Sequence, residues 1–381
     1  MATLGNMGNM GNMGNMGNMG NMGNMTGLGS FVGAGGADPA LATGLVISAE
    51  ILFGHGADPD DPLALKGIVE ARQLQAGPAL NLHRWFPWVR ASLYLSDFLR
   101  DLDWKASYDR AGEAGRVKLL YRTRTPRGSG VATPFLTVLR PGIDVFRHQL
   151  EVMRNYMDQR AERMPEILTQ ASLPPDYMGF ILGLSPGRNR HVLELMTISL
   201  VLAAHAAMLM KHHLACRRPD QLGATTLPML PTPEHGSFPS AHAAEAFAVA
   251  TVLAGLISSP VGKAYFPDGP RLITMLDKQA ERIAVNRTVA GLHFPVDSWA
   301  GALLGRQIGA LILAKCTGAV GGMSHLTYAA EGTSDFAIDR LTRALSVGGD
   351  GVSSVDGGPH IGTSKVFAWL WGKALDELSL A

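Results

Sequence analysis

Three apolar stretches, residues 192–210, 243–259 and 298–314, constrain the fold of this 381-residue chain more than any other feature. Each is long enough for a helix that buries most of its surface, and such helices hide their apolar faces by packing on one another. Each also carries a charge, Glu194, Glu245 and Arg306 in turn. None reaches the roughly 20 uninterrupted apolar residues of a bilayer crossing. They are therefore predicted to be buried helices of a soluble, all-α bundle with no transmembrane span. The start of the chain lacks a charged segment followed by an apolar one, so no signal peptide is predicted and the cytoplasm is the expected location.

Composition narrows the class. Hydrophobic residues make up 46% and charged ones 17%, with Lys+Arg 33 against Asp+Glu 32. A chain so close to neutral is not predicted to bind nucleic acid, which asks for a basic excess. Cys216 and Cys316 are the only cysteines, too few for a disulfide framework or a zinc site, and a reducing compartment is the simpler expectation.

Four regions are expected along the chain. Residues 1–30 hold seven consecutive Gly-Asn-Met triplets between Gly5 and Met25, a composition without an apolar face and predicted to be disordered. A Met-rich tail for soft metal ions is the functional alternative. Residues 31–140 are predicted to be a helical region packing on the core, with helices near 40–53, 62–74 and 85–103. Within it, β-branched and aromatic runs at 117–125 and 131–139 flank a turn-rich 126–130, which points to a small β-hairpin. Residues 141–318 are the expected catalytic bundle, with helices over 144–172, 189–217, 240–258, 272–289 and 295–316. Residues 319–381 form a Gly- and Ser-rich extension with helices near 335–345 and 364–378.

Three short segments inside the bundle carry groups suited to an oxyanion. Lys211 and Arg218 are seven apart, close to two helical turns, and would leave one helix on the same face. A solvated basic patch with His212, His213 and Arg217 is the plain alternative. Pro239-Ser240-Ala241-His242 opens an apolar run, where Ser240 suits an N-cap and the first-turn N–H groups favour a phosphate-like anion. Ser240 is equally readable as a cap alone and His242 as a packed histidine. In the third segment Gly291 is predicted to end a helix and Pro295 to begin the next, stranding His293 with Asp297 four residues on. Asp297 would then reach one ring nitrogen and leave the other free as nucleophile or ligand.

Together these residues resemble the signature of the type 2 phosphatidic acid phosphatase and vanadium-dependent haloperoxidase superfamily: Lys-x6-Arg-Pro, Pro-Ser-Gly-His and Ser-Arg-x5-His-x3-Asp. Here it stands as Lys211-x6-Arg218-Pro219, Pro239-Ser240-Ala241-His242 and Asn286-Arg287-x5-His293-x3-Asp297, over residues 205–300. The resemblance implies a helical bundle of the acid phosphatase and vanadium haloperoxidase type. It implies that Lys211, Arg218 and Arg287 hold equatorial oxygens of phosphate or vanadate, with Ser240 and the Ala241 amide as neutral donors. His293 would attack phosphorus to give a phosphohistidine, Asp297 would orient it, and His242 would serve as general acid and then base. Two positions depart from the signature. Ala241 replaces Gly, keeping the N–H but adding a Cβ that limits the backbone; Asn286 replaces Ser.

The expected activity is hydrolysis of monophosphate or diphosphate esters, with a small-molecule substrate, no cofactor and no metal. In the alternative, a vanadium-dependent haloperoxidase, His293 ligates vanadate. His293-Phe294-Pro295-Val296-Asp297 resembles the phosphatases, and the run from His235 to His242 resembles the bromoperoxidases. A non-hydrolytic anion-binding or isoprenoid-diphosphate protein is the remaining reading. Phe238, Phe247, Leu292, Phe294 and Trp299 would line an apolar leaving group or fill the core. Homo-oligomerisation is left open.

Overall fold

The computed structural model describes residues 78–108, 115–125, 128–223, 225–318, 323–332 and 334–379. The Gly-Asn-Met repeat and the helices expected near 40–53 and 62–74 lie outside them. The chain divides into two units. One contains α1 (Pro78–Arg84) and the beginning of α2 (Pro87–Asp101); the other runs from Tyr94 onward.

After α2 come three strands, β1 (Leu102–Tyr108), β2 (Gly115–Thr125) and β3 (Gly128–Leu139), then α3 (Ile143–Arg154), a 3-10 turn at Met157–Gln159, α4 (Arg160–Thr169) and α5 (Asp176–Gly179). The bundle proper is α6 (Arg190–Leu214), the one-turn α7 (Pro219–Leu222), α8 (Ala241–Ser258), α9 (Pro260–Tyr265), α10 (Gly269–Val289) and α11 (Pro295–Thr317). β4 (His325–Tyr328), α12 (Ile338–Val347), β5 (Val352–Val355) and α13 (Lys365–Ser379) complete it.

A helical bundle forms, but the protein is not all-α. The hairpin forms, with β2 and β3 antiparallel and Leu119 opposite Leu136. It is the centre of a five-stranded mixed sheet in the order β1-β2-β3-β4-β5. β4 joins β3 in parallel, placing Thr137 opposite Thr327. Strands of four residues are too short to display an alternating pattern, and β4 pairs with a segment nearly two hundred positions earlier, so neither leaves a local mark. The amphipathic stretch expected at 144–172 is broken at residues 155–159, where Asn155 closes α3 and the 3-10 turn intervenes.

The chain was expected to be soluble and cytoplasmic without a transmembrane span, and that expectation is overturned. Two stretches among the described residues are long and apolar enough to cross a membrane, Arg190–Leu222 (33 residues) and α8 (18 residues). Glu194 and Glu245 lie near the N-terminal ends of these two stretches, and between Glu194 and Lys211 no Asp, Glu, Lys or Arg occurs. In both stretches most of the apolar window is buried inside the protein, 67% and 72%.

Small residues fix the spacing of α8 and α11. Gly301, Gly305 and Gly309 fall on one face of α11, one turn apart. A Cβ at Gly301 would stand 2.4 Å from the Ser240 carbonyl oxygen, and one at Gly305 2.4 Å from that of Ala244. Only glycine admits this approach, and it brings the first turns of α8 and α11 together, with the Ser240 N–H donating to the Asp297 carbonyl at 2.9 Å. From the other side buried Gln149 holds the start of α11, accepting from the Val296 N–H at 3.0 Å while donating to the Gly332 and Ser334 carbonyls. Phe238, Phe247, Leu292, Phe294 and Trp299 are all core residues.

Candidate active site

The first segment reaches the site differently from the expected single helix. α6 stops at Leu214, and Ala215 adopts a left-handed conformation (φ 47°) with its N–H returned to the Lys211 carbonyl. Arg218 lies beyond that break, as the cap of α7 with Pro219 in its first turn. Both cations nevertheless turn to the same loop. Lys211 Nζ donates to the Gly236 and Ser237 carbonyls at 2.7 Å each, and Arg218 Nε donates to the His235 carbonyl at 3.1 Å.

The His293 junction forms as expected. α10 ends at Val289, Gly291 takes φ +77°, and α11 begins at Pro295. A Cβ on Gly291 would meet Arg160 Nη2 at 3.0 Å; that guanidinium pins the junction by donating to the Val289, Thr226 and Leu227 carbonyls. His293 Nδ1 donates to Asp297 Oδ2 at 2.9 Å, and the same oxygen accepts the Phe294 N–H at 3.0 Å. Arg218 Nη1 lies 3.0 Å from His293 Nε2. Because a guanidinium only donates, Nε2 carries a lone pair and Nδ1 the proton. Burial, then Arg218 and Lys211, holds the imidazole well below its ordinary pKa, so it is neutral.

Ser240 caps α8, accepting the Ala243 N–H at 3.3 Å. The following first-turn amides, Ala241 among them, have no partner within a helix. His242 donates its Nε2–H to the Gln170 carbonyl at 2.9 Å; burial and the charge of Arg287 lower it to about 3. Arg287, fully buried, donates through Nη2 to the Ile167 carbonyl and to Gln170 Oε1, while its Nε has no partner. Burial lowers Arg218 and Arg287 to about 10, which leaves both cationic at neutral pH. Lys211 is lowered well below its usual value by burial and by Arg218.

Lys211, Arg218 and His293–Asp297 therefore share one contact network, and His242 and Arg287 a second that meets at Gln170. The fields of the two overlap, since His293 feels His242 and His242 feels Lys211. Asn286 joins the second network from α10, donating to Gln170 and to Glu166 and accepting from Arg163.

Three contributors were missed by sequence reasoning. His235 sets Nδ1 3.1 Å from Arg218 Nη2; burial and Lys211 lower it to about 4. Glu245, one turn past His242 and buried, is raised by burial to about 7 against the pull of Lys211 and Arg287. Gln170 joins His242 and Arg287 from α4. His235 belonged to the quoted run, and Glu245 was visible as the charge within an apolar stretch. Gln170 lies about seventy positions upstream of His242, outside every motif.

Chemically, two buried guanidinium groups and a buried lysine around a neutral imidazole oriented by Asp297 suit a multiply charged oxyanion. Asp297 and Glu245 only partly balance Lys211, Arg218 and Arg287, and burying cations without compensation is costly. Among the described residues no cluster of three His, Cys, Asp or Glu is placed to hold a metal ion.

Residues 193–317 match the PAP2 superfamily. Among solved structures, a transmembrane PAP2-type phosphatidylglycerolphosphate phosphatase from Bacillus subtilis is 21% identical, with a TM-score of 0.27, over 42% of this chain and 73% of that one. No curated protein matches the chain.

Proposed function

We propose that the protein is a phosphatase that hydrolyses phosphate esters or diphosphates through a phosphohistidine on His293. The observation that carries this is the polarity of His293: Nδ1–H fixed by Asp297, with the Nε2 lone pair beside Arg218. Lys211, Arg218 and Arg287 neutralise the phosphoryl oxygens, and Ser240 with the Ala241 amide at the α8 N-terminus adds neutral donors. For attack, the Arg218 guanidinium moves from Nε2 onto a phosphoryl oxygen. The Nε2–P bond forms as the P–O bond to the leaving group breaks, and His242 delivers a proton to the departing oxygen. Water then attacks phosphorus, His242 takes its proton, and the P–N bond breaks. A bound dianion raises the pKa of His242, as the donor step requires, and the ring must leave the Gln170 carbonyl to act.

A second reading has a specific observation behind it. His235, on the run that resembles the bromoperoxidases, contacts Arg218 directly. The same donors and His293 Nε2 fit vanadate, whose chemistry, when bound, is activation of peroxide for halide oxidation. One preparation separates these readings: with orthovanadate added, phosphate release from an activated ester and peroxide-dependent bromination are both measured. Inhibition of ester hydrolysis without bromination supports the phosphatase. Bromination that tracks vanadium loading overturns it, and tight vanadate binding with neither activity points to a non-hydrolytic anion-binding protein.

A further inference from the structure

Gln170, the C-cap of α4, is wholly buried. Its Oε1 accepts from Asn286 Nδ2 at 3.0 Å and from Arg287 Nη2 at 3.4 Å. Both partners are donors, so the amide oxygen is assigned to that side and the NH2 group faces elsewhere. That Nε2 is buried with no acceptor, as is the Nε of neighbouring Arg287. Buried donors are almost always paired, and two unpaired on adjacent side chains of one polar cluster call for an acceptor the protein does not supply. The Gln170 carbonyl also receives His242, so one residue touches the proposed general acid and one of the proposed anion-binding cations.

We propose that Gln170 is a further binding residue of this site, its Nε2 donating to an oxygen of the bound tetrahedral anion. The proposal rests on the reading of the site as a phosphoryl-anion receptor. It also gives a role to the departure at position 286. Asn286 accepts from Arg163 while donating to Glu166 and Gln170. The serine of the family signature has a single short hydroxyl, which cannot make all three bonds from there. Asn286 thus orients the Gln170 amide.

Calorimetric titration of the full chain with orthovanadate tests this on wild type, Gln170→Met and Gln170→Glu, with thermal melting as the check on folding. Both variants are expected to bind about tenfold or more weakly, the loss of one hydrogen bond to a charged group. Gln170→Glu retains an acceptor for Asn286 and Arg287, so a role limited to holding those side chains leaves its affinity at the wild-type level. That result overturns the proposal, as does wild-type affinity in Gln170→Met. Should either variant fail to fold, the side-chain amide signals of wild-type protein labelled with 15N-glutamine decide. An amide that shifts on vanadate addition and is lost in the remaining variant supports the assignment, and unshifted glutamine signals overturn it. No vanadate binding by wild type overturns the parent reading as well.

Discussion

At the scale of single residues, Glu245 is a buried group of the site whose charge state changes near neutral pH. Burial raises its carboxyl from 4.5 to about 7, so the folded protein prefers it protonated. The sign follows from linkage: the associated stability is fully present below about pH 4.5 and is lost as pH rises through about 7. Glu245→Gln, neutral throughout, is expected to melt with wild type near pH 4.5 and progressively above it up to pH 7, with the gap constant beyond. A gap that does not change with pH contradicts the placement of this carboxyl. For His242, substitution by alanine is expected to lower kcat by roughly 100- to 10,000-fold in hydrolysis of a poor leaving group, the usual range for a general acid. The loss should shrink for a leaving group that needs no proton, and equal losses on both substrates count against the role.

Among the elements, the α8–α11 contact positions the chemistry, and its glycines make a sharp prediction. Gly305→Ala drives a Cβ toward the Ala244 carbonyl and is expected to cost about 1–3 kcal/mol, as overpacking does. Gly372, inside α13, has nothing within 4 Å of its would-be Cβ, so Gly372→Ala should stabilise by about 0.5–1 kcal/mol. Urea unfolding of the pair checks both signs. The helices expected over 240–258, 272–289 and 295–316 and the hairpin were legible in the sequence because hydrophobic period and turn residues are local signals. The cap at Ser240, the Gly291 turn and the His293–Asp297 pair were legible for the same reason. The single helix expected through Arg218 was not, because Ala215 takes a left-handed turn that no residue preference announces. Gln170 was hidden since only tertiary packing of α4 against α10 brings it to Arg287.

At the scale of the whole molecule, the C-terminal region is tied into the bundle at both ends. β4 extends the sheet beside β3, and Glu377 on α13 accepts from the His191 and Val192 N–H groups and from His191 Nδ1 at the start of α6. Glu377→Ala is expected to cost about 1–2 kcal/mol, the scale of a lost N-cap, measured by urea unfolding. The proposed reaction requires that His293 be phosphorylated during turnover. Rapid-quench intact-mass measurement of the full chain after mixing with an activated phosphate ester tests it directly. The expected result is a transient phosphoryl adduct that maps to His293, is acid-labile, and is absent from a folded His293→Ala variant that no longer turns over. Steady hydrolysis by His293→Ala, or an adduct on another residue, contradicts it.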